Sequence, residues 1–114
     1  MKIEKFEDIQ SWQKAKNLSI VIYKIFNSNK DYSFRDQIQR ASVSIMNNIA
    51  EGFERKGNKE LIHFLFIAKG SSAEIRSMLY LALEWKYISE KDFRNLHDET
   101  TQISKMLSGF IKTL

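Results

Sequence analysis

Apolar residues recur at intervals of three and four along nearly the whole chain, and this spacing constrains the fold more than any other feature. Such spacing places the apolar side chains on one face of an α-helix. The chain also has no proline and only four glycines, so it has few of the residues that form tight turns between strands or interrupt helices. At 114 residues, the sequence predicts a single all-α domain.

Four segments carry this pattern, and polar or glycine-containing residues separate them. The predicted helices span about residues 9–27, 34–55, 58–87 and 89–113 of one domain that covers residues 1–114. In the first helix, Tyr23 is expected to widen the apolar stripe. Short connections place consecutive helices side by side and in opposite directions. We therefore expect an up-down-up-down antiparallel four-helix bundle.

Local signals mark several of the predicted helix ends. Ser33 and Asp36 have the spacing of an N-terminal capping pair for the second helix, and Ser89 and Asp92 repeat that spacing at the fourth. Gly57 stands between the second and third segments, where glycine commonly ends a helix. These signals agree with the boundaries that the apolar spacing predicts.

Composition excludes several chemistries and compartments. The absence of cysteine removes disulfides, cysteine-based metal centres and thiol nucleophiles, and it fits a reducing compartment. The N-terminal segment carries acidic residues where a secretory signal needs an apolar run, and no stretch approaches the length of a membrane span. We expect a cytoplasmic protein that has no membrane partner.

The candidate catalytic and metal-binding patterns are incomplete. Glu60 and His63 have the Glu-x-x-His spacing of di-iron bundles, but the sequence offers neither a second such pair nor the further glutamates required. Arg94 and His97 are the nearest approach to the Arg and His pair of a metal-free helical ribonuclease. No glycine-rich phosphate loop is present. We expect no metal, no cofactor and no catalytic residues, and hence a protein that is not an enzyme.

The predicted third helix carries a second apolar line on a face that its first stripe leaves outward. Its residues are Ile62, Phe66, Ala73, Tyr80 and Tyr87. An exposed apolar patch of this kind favours association between subunits. The alternative is that the bundle wraps more deeply around this helix, with the tyrosine hydroxyls reaching water.

The middle of the predicted second helix is unusually polar and small for a core element. Glycine inside a helix is tolerated most easily where another backbone approaches, so Gly52 and, on the third helix, Gly70 predict a tight helix crossing. Arg40 is expected to pair with Glu74 or Glu51, because an unpaired buried charge is costly. The alternative interpretation is a groove for a ligand or for nucleic acid.

Basic residues exceed acidic ones by 18 to 14, and the excess is spread thinly except at one cluster. Arg55, Lys56 and Lys59 lie at the junction of the second and third helices. Asn58 begins the third helix, whose free backbone N–H groups would suit a phosphate oxygen. A closed ring of subunits would repeat the cluster and multiply its field, which favours nucleic-acid binding. The alternative is a solvated corner.

Two motifs resemble a known family. The string from Gln37 to Gly52 ends in Asn-Ile-Ala-Glu-Gly, and the third helix contains Ala-x-Gly-Ser-x-x-Glu. Their characteristic residues are Arg40, Asn48, Glu51, Gly52, Gly70, Ser71 and Glu74. In these motifs and in their spacing, over essentially the whole chain, the sequence resembles the 23S rRNA-intervening sequence protein family.

This resemblance implies a four-helix subunit that assembles into a homopentamer. The related accessory variability proteins of diversity-generating retroelements form pentameric barrels that bind nucleic acid and a reverse transcriptase through basic surfaces. No catalytic residues carry over from the family. The sequence and the resemblance together favour a non-enzymatic oligomer associated with RNA or DNA, ribosomal RNA among them. The alternative is a structural or protein-interaction module that recruits another protein and binds no nucleic acid.

Overall fold

Four helices account for most of the chain in a computed structural model that describes residues 2–114. After a short 3-10 helix at Phe6–Asp8, the elements are α1 (Gln10–Phe26), α2 (Tyr32–Glu54), α3 (Asn58–Glu84) and α4 (Glu90–Lys112). The prediction of an all-α fold with four helices is confirmed. No helix within the described range is long and apolar enough to cross a membrane.

The helices pack as an antiparallel bundle about 43 Å long. Contacts between neighbouring helices run in opposite directions. Lys69 in the first half of α3 donates to Ser108 Oγ near the end of α4 at 2.6 Å, and the Tyr80 hydroxyl near the end of α3 lies 3.2 Å from His97 Nε2 in the first half of α4. The core lies between all four helices, and its fully buried members include Phe26, Ile22, Ile38, Ile45, Ile49, Leu65, Ile75, Leu79, Ile103 and Leu107.

The start of α2 differs from the sequence prediction. Helical structure begins at Tyr32, and Asp31 rather than Ser33 is the capping residue: its Oδ1 accepts a hydrogen bond from the backbone N–H of Phe34 at 3.2 Å. Both residues suit a cap, and the apolar stripe alone does not decide between them. At α4 the prediction is confirmed, since Ser89 Oγ accepts from the N–H of Asp92 at 3.0 Å.

The end of α3 also differs, because the helix stops at Glu84 instead of continuing to residue 87. Lys86 adopts a left-handed conformation with φ of 60°, and the N–H of Tyr87 bonds back to the carbonyl oxygen of Ala82 at 2.8 Å. The N–H of Lys86 bonds to the carbonyl oxygen of Leu83 at 3.1 Å, which completes a Schellman motif. Glycine usually occupies the left-handed position, so a lysine there gave no sequence signal.

The turn between α2 and α3 contains Gly57, but this glycine precedes α3 and does not end α2, whose C-cap is Arg55 in an extended conformation. Gly57 has φ of 91° and forms the N-terminal boundary of α3. Side chains other than glycine rarely adopt this backbone conformation. The turn brings the carboxyl end of α2 against the amino end of α3, where the predicted basic cluster lies.

Candidate functional site

The most extensive helix contact is an α2/α3 seam that polar and small residues line. Gln37 Nε2 donates to Glu74 Oε2 at 3.1 Å near one end, and Ser71 Oγ donates to Ser44 Oγ at 2.9 Å farther along. At the other end, Gly52 packs against α3. The predicted crossing of α2 and α3 through small residues is therefore present.

Gly52 occupies the closest approach in this seam. A Cβ atom built there would lie 2.6 Å from the Cβ of Phe64 and 3.3 Å from the Cδ1 of Leu61. The prediction for Gly70 is wrong, because no atom of residues 2–114 lies within 4 Å of the corresponding position and the residue is exposed. Gly70 sits inside α3 but points away from the bundle, so helix packing within the subunit does not require it.

The expected pairing of Arg40 is also wrong. Arg40 is exposed on α2 and has no ion-pair partner within residues 2–114. Glu74 instead accepts from Gln37, and Glu51 pairs with Arg55 at 2.7 Å. Water can solvate an exposed guanidinium, so the cost that would have forced a pair does not arise.

The second apolar line of α3 lies mainly outward. Phe66 and Tyr80 are 55% and 57% exposed, Ala73 is exposed, and Ile62 is half-buried. These four residues and Gly70 form what we call the outer face of α3. Exposed aromatic and aliphatic side chains along one helix leave an apolar surface that residues 2–114 cover only in part.

Two tyrosines of the predicted line have partners of their own. The Tyr80 hydroxyl lies 3.2 Å from His97 Nε2, and its ring packs edge-on against Phe93. Tyr87 lies beyond the end of α3 and donates to Asp31 Oδ2 at 2.7 Å. This hydrogen bond raises the pKa of Tyr87 above its ordinary value. Tyr87 therefore belongs to the end of the bundle and not to the outer face.

Arg55 holds a fixed position in the predicted basic cluster. Its guanidinium donates to Glu51 Oε1 at 2.7 Å and lies 5.1 Å from the centre of the Phe64 ring. The hydrogen bond to Glu51 raises the pKa of Arg55 above its ordinary value. Its charge is largely balanced by this carboxylate, which leaves Lys56 and Lys59 as the cations more available to a ligand.

Lys56 and Lys59 flank the start of α3. Both are exposed, and neither has an ion-pair partner among residues 2–114. Gly57 precedes the helix without a side-chain cap, so the first N–H groups of α3 stay open to solvent or to a ligand. We call Arg55, Lys56 and Lys59, with this helix start, the basic corner.

The histidines lie apart from one another. His63 is exposed on α3 beside Phe64, and His97 lies on α4 against Tyr80. Across residues 2–114, no three His, Cys, Asp or Glu side chains are grouped so that they could hold a metal ion. The Glu60 and His63 pair thus has no further ligands near it.

Sequence reasoning missed a polar cleft on the outer side of α1 and α2. Tyr23 lines it and is 44% exposed, so its assignment to the buried stripe of α1 is wrong. Arg40, Asn47 and Asn48 line it from α2. The sequence signal for this cleft is the unusual polarity of α2. That polarity is the reason that a groove is the alternative to close helix packing.

The fold and these surfaces define a small antiparallel four-helix bundle protein with an apolar outer face and a basic corner. The model of the 23S rRNA-intervening sequence proteins matches residues 7–109, and the chain belongs to that family. It is similar to a Bacteroides thetaiotaomicron protein of known crystal structure, with 27% identity and a TM-score of 0.84 over 90% of this chain and 98% of that one. That protein is described as having unknown function and as part of the S23 ribosomal protein family. No curated protein sequence matches this chain.

Proposed function

We propose that this protein is a non-enzymatic, oligomeric RNA-binding protein. The observation that carries the proposal is the basic corner, where Lys56 and Lys59 are exposed and unpaired within the described residues beside an uncapped helix start. Cations and free N–H groups together suit phosphate oxygens. The family's description as 23S rRNA-intervening sequence proteins favours ribosomal RNA as the partner.

The basic corner would contact the RNA backbone rather than its bases. Lys56 and Lys59 offer charge without a fixed geometry, and backbone N–H groups carry no base-reading information. Arg55 is held between Glu51 and Phe64 and helps to hold the turn in place. Binding of this kind is strong at low salt and has little sequence preference.

Assembly of several subunits would raise the affinity of the basic corner for RNA. The outer face of α3 supports association with further copies of the chain, and the family resemblance implies five of them. Closed symmetry would place one basic corner per subunit around a ring, and the summed potential would then act on a single RNA. A lone corner would bind RNA weakly, because few phosphates are neutralised.

Retention of single-stranded ribosomal RNA at increasing salt tests the RNA proposal. Each phosphate contact that is lost should flatten the slope of log affinity against log salt by about 0.7. We expect Lys56→Ala with Lys59→Ala to flatten this slope, while Lys24→Ala with Lys91→Ala, two exposed lysines at the opposite end of the bundle, leaves it almost unchanged. No retention of RNA by the wild-type protein near 50 mM salt, the low end of the usual range, would reject the proposal.

Light scattering tests the assembly. Phe66→Glu should dissociate it, because it places a charge in a desolvated contact. Ile20→Glu is the matched control, since Ile20 is 59% exposed on α1 and lies outside the outer face of α3. A monomeric mass for the wild-type protein at micromolar concentration contradicts self-association, and an unchanged mass for Phe66→Glu moves the contact elsewhere.

A second function is favoured by the charge balance of the basic corner. Residues 51–60 contain three cations and three carboxylates, so this segment has no net charge. With an apolar outer face nearby, the chain also suits a protein-interaction module that recruits another protein. The salt experiment separates the two functions, because protein contacts release few counterions.

A further inference from the structure

The polar cleft between α1 and α2 takes no part in the basic corner or in the outer face of α3. It has a volume of about 510 Å³ and lies between Tyr23 of α1 and a row of polar residues on α2. Sites for small ligands commonly fall in this size range. The cleft is large enough to hold one nucleotide.

Gln39 supplies an unused hydrogen-bonding group to the cleft. The residue is only 8% exposed, and its side-chain amide makes no hydrogen bond among residues 2–114. The amide is not among the fully buried polar atoms without a partner, so water reaches it from the cleft. A ligand in the cleft would replace this water on an amide that both donates and accepts.

Asn48 adds an acceptor whose direction is set. Its Nδ2 donates to the carbonyl oxygen of Ser44 at 2.8 Å and to Ser44 Oγ at 3.0 Å. The remaining oxygen, Oδ1, is left to accept from a ligand. Asn47 lies exposed beside it and brings a second amide to the cleft. Amides that donate and accept are suited to the edges of unpaired bases.

Arg40 gives the cleft one cation without a partner in the described residues. Asp36 also lines the cleft, but Arg35 holds its carboxylate at 3.0 Å and balances its charge. A free guanidinium in this setting favours a phosphate. The exposed ring of Tyr23 offers a surface on which a base can stack.

We propose that this cleft binds one unpaired nucleotide of a single-stranded RNA. The base stacks on Tyr23 and bonds to the amides of Gln39, Asn47 and Asn48, and a neighbouring phosphate lies against Arg40. The inference rests on the proposed function, because the same RNA strand is held at the basic corner.

The cleft and the basic corner are aligned along α2. Arg40, Asn47 and Glu51 are seven and four residues apart, which places them on one face of the helix. Arg55 reaches this face through its bond to Glu51. Eight residues separate Asn47 from Arg55, or about 12 Å at 1.5 Å per residue. A strand at the basic corner therefore reaches the cleft by following α2.

Fluorescence anisotropy with a mixed-sequence single-stranded RNA oligonucleotide and with its duplex tests the cleft. Tyr23→Leu removes the stacking surface and should weaken single-strand binding at least about fivefold, with duplex binding nearly unchanged. Arg40→Gln should weaken single-strand binding more than duplex binding. Trp85→Leu and Arg94→Gln are matched controls at exposed positions away from the cleft, and we expect wild-type binding from both.

The outcomes separate this inference from the function on which it rests. Single-strand binding by Tyr23→Leu and Arg40→Gln equal to that of the wild type would overturn the cleft and leave the basic corner intact. No binding of either RNA by the wild type would overturn both. A lower assembly mass for Tyr23→Leu would instead assign the cleft to a contact with a second copy. Unchanged thermal unfolding shows that each variant is folded.

Discussion

Gly52 and Gly70 lie inside neighbouring helices and in the two motifs that mark the family resemblance, yet their surroundings are opposite. At Gly52 an added Cβ would lie 2.6 Å from the Cβ of Phe64, whereas at Gly70 it would meet no other described residue within 4 Å. One glycine completes the α2/α3 seam, and the other lies on the outer face of α3. The same residue type thus marks a closed contact in one region and an open surface in the other.

The two regions differ in whether contacts within one subunit account for the residues that line them. The α2/α3 seam finds its partners inside the chain, as the Ser71–Ser44 hydrogen bond at 2.9 Å illustrates. The outer face of α3 presents Phe66 to solvent at 55% exposure. Substitutions in the two regions test this difference through the free energy of unfolding.

The largest effect is expected for Gly52→Ala. The new methyl group would push α2 away from Phe64, and overpacking of this kind costs more than the gain in helix propensity returns. We expect the free energy of unfolding to fall by about 1–2 kcal/mol, measured by urea denaturation. Stability equal to the wild type would show that the seam relaxes and that the contact at Gly52 is not a tight one.

Gly70→Ala should act in the opposite direction. Alanine favours the helix over glycine by up to about 1 kcal/mol, and here it meets no neighbour within the subunit. We expect a gain of about 0.5–1 kcal/mol in the free energy of unfolding of the isolated subunit. A loss of stability at concentrations where the protein assembles would show that another copy approaches the backbone at this glycine.

Tyr87→Phe tests the far end of the α2/α3 region through pH. The bond to Asp31 raises the pKa of Tyr87, so its stabilising effect is complete below the ordinary tyrosine pKa of about 10 and is lost as pH rises through the raised value. The variant should lose less stability than the wild type between neutral and strongly alkaline pH. Tyr23→Phe, on an exposed ring, is the control, and parallel curves for wild type and Tyr87→Phe would contradict the role of the bond.

The smallest effect is expected for Arg40→Ala. Because Arg40 is exposed and unpaired within the described residues, its removal should change the free energy of unfolding by no more than about 0.5 kcal/mol. Thermal and urea unfolding provide the measurement. A loss of a few kcal/mol would instead indicate the buried ion pair that the sequence favours. It would also contradict the exposed position of Arg40 on α2.

Apolar spacing was sufficient to predict the helices because one stripe per helix faces a common core. It does not report which of several polar residues caps a helix, so the spacing predicts Ser33 where Asp31 is the cap. It also cannot place a helix end that a non-glycine residue terminates, as Lys86 does with φ of 60°. Both errors arise from local backbone geometry that residue types determine only weakly.

The surfaces were harder to predict than the fold. Small residues such as Gly52 and Gly70 look alike in sequence, and only the three-dimensional packing separates them. The small residues around Arg40 predict an ion-pair partner for it, but it lies on the exposed side of α2. The cleft depends on how α1 lies against α2, so Gln39 and Tyr23 could not be assigned to one site beforehand.

The hydrogen bond between Tyr87 and Asp31 joins residues that are 56 positions apart in the chain. It closes α2 and α3 into a loop at the end opposite their turn, and these two helices share the most extensive contact in the bundle. The contact between α1 and α4 is the least extensive of those between neighbouring helices. Cooperative opening should therefore begin by separation of α1 from α4, with the amide hydrogens of the α2–α3 hairpin exchanging last.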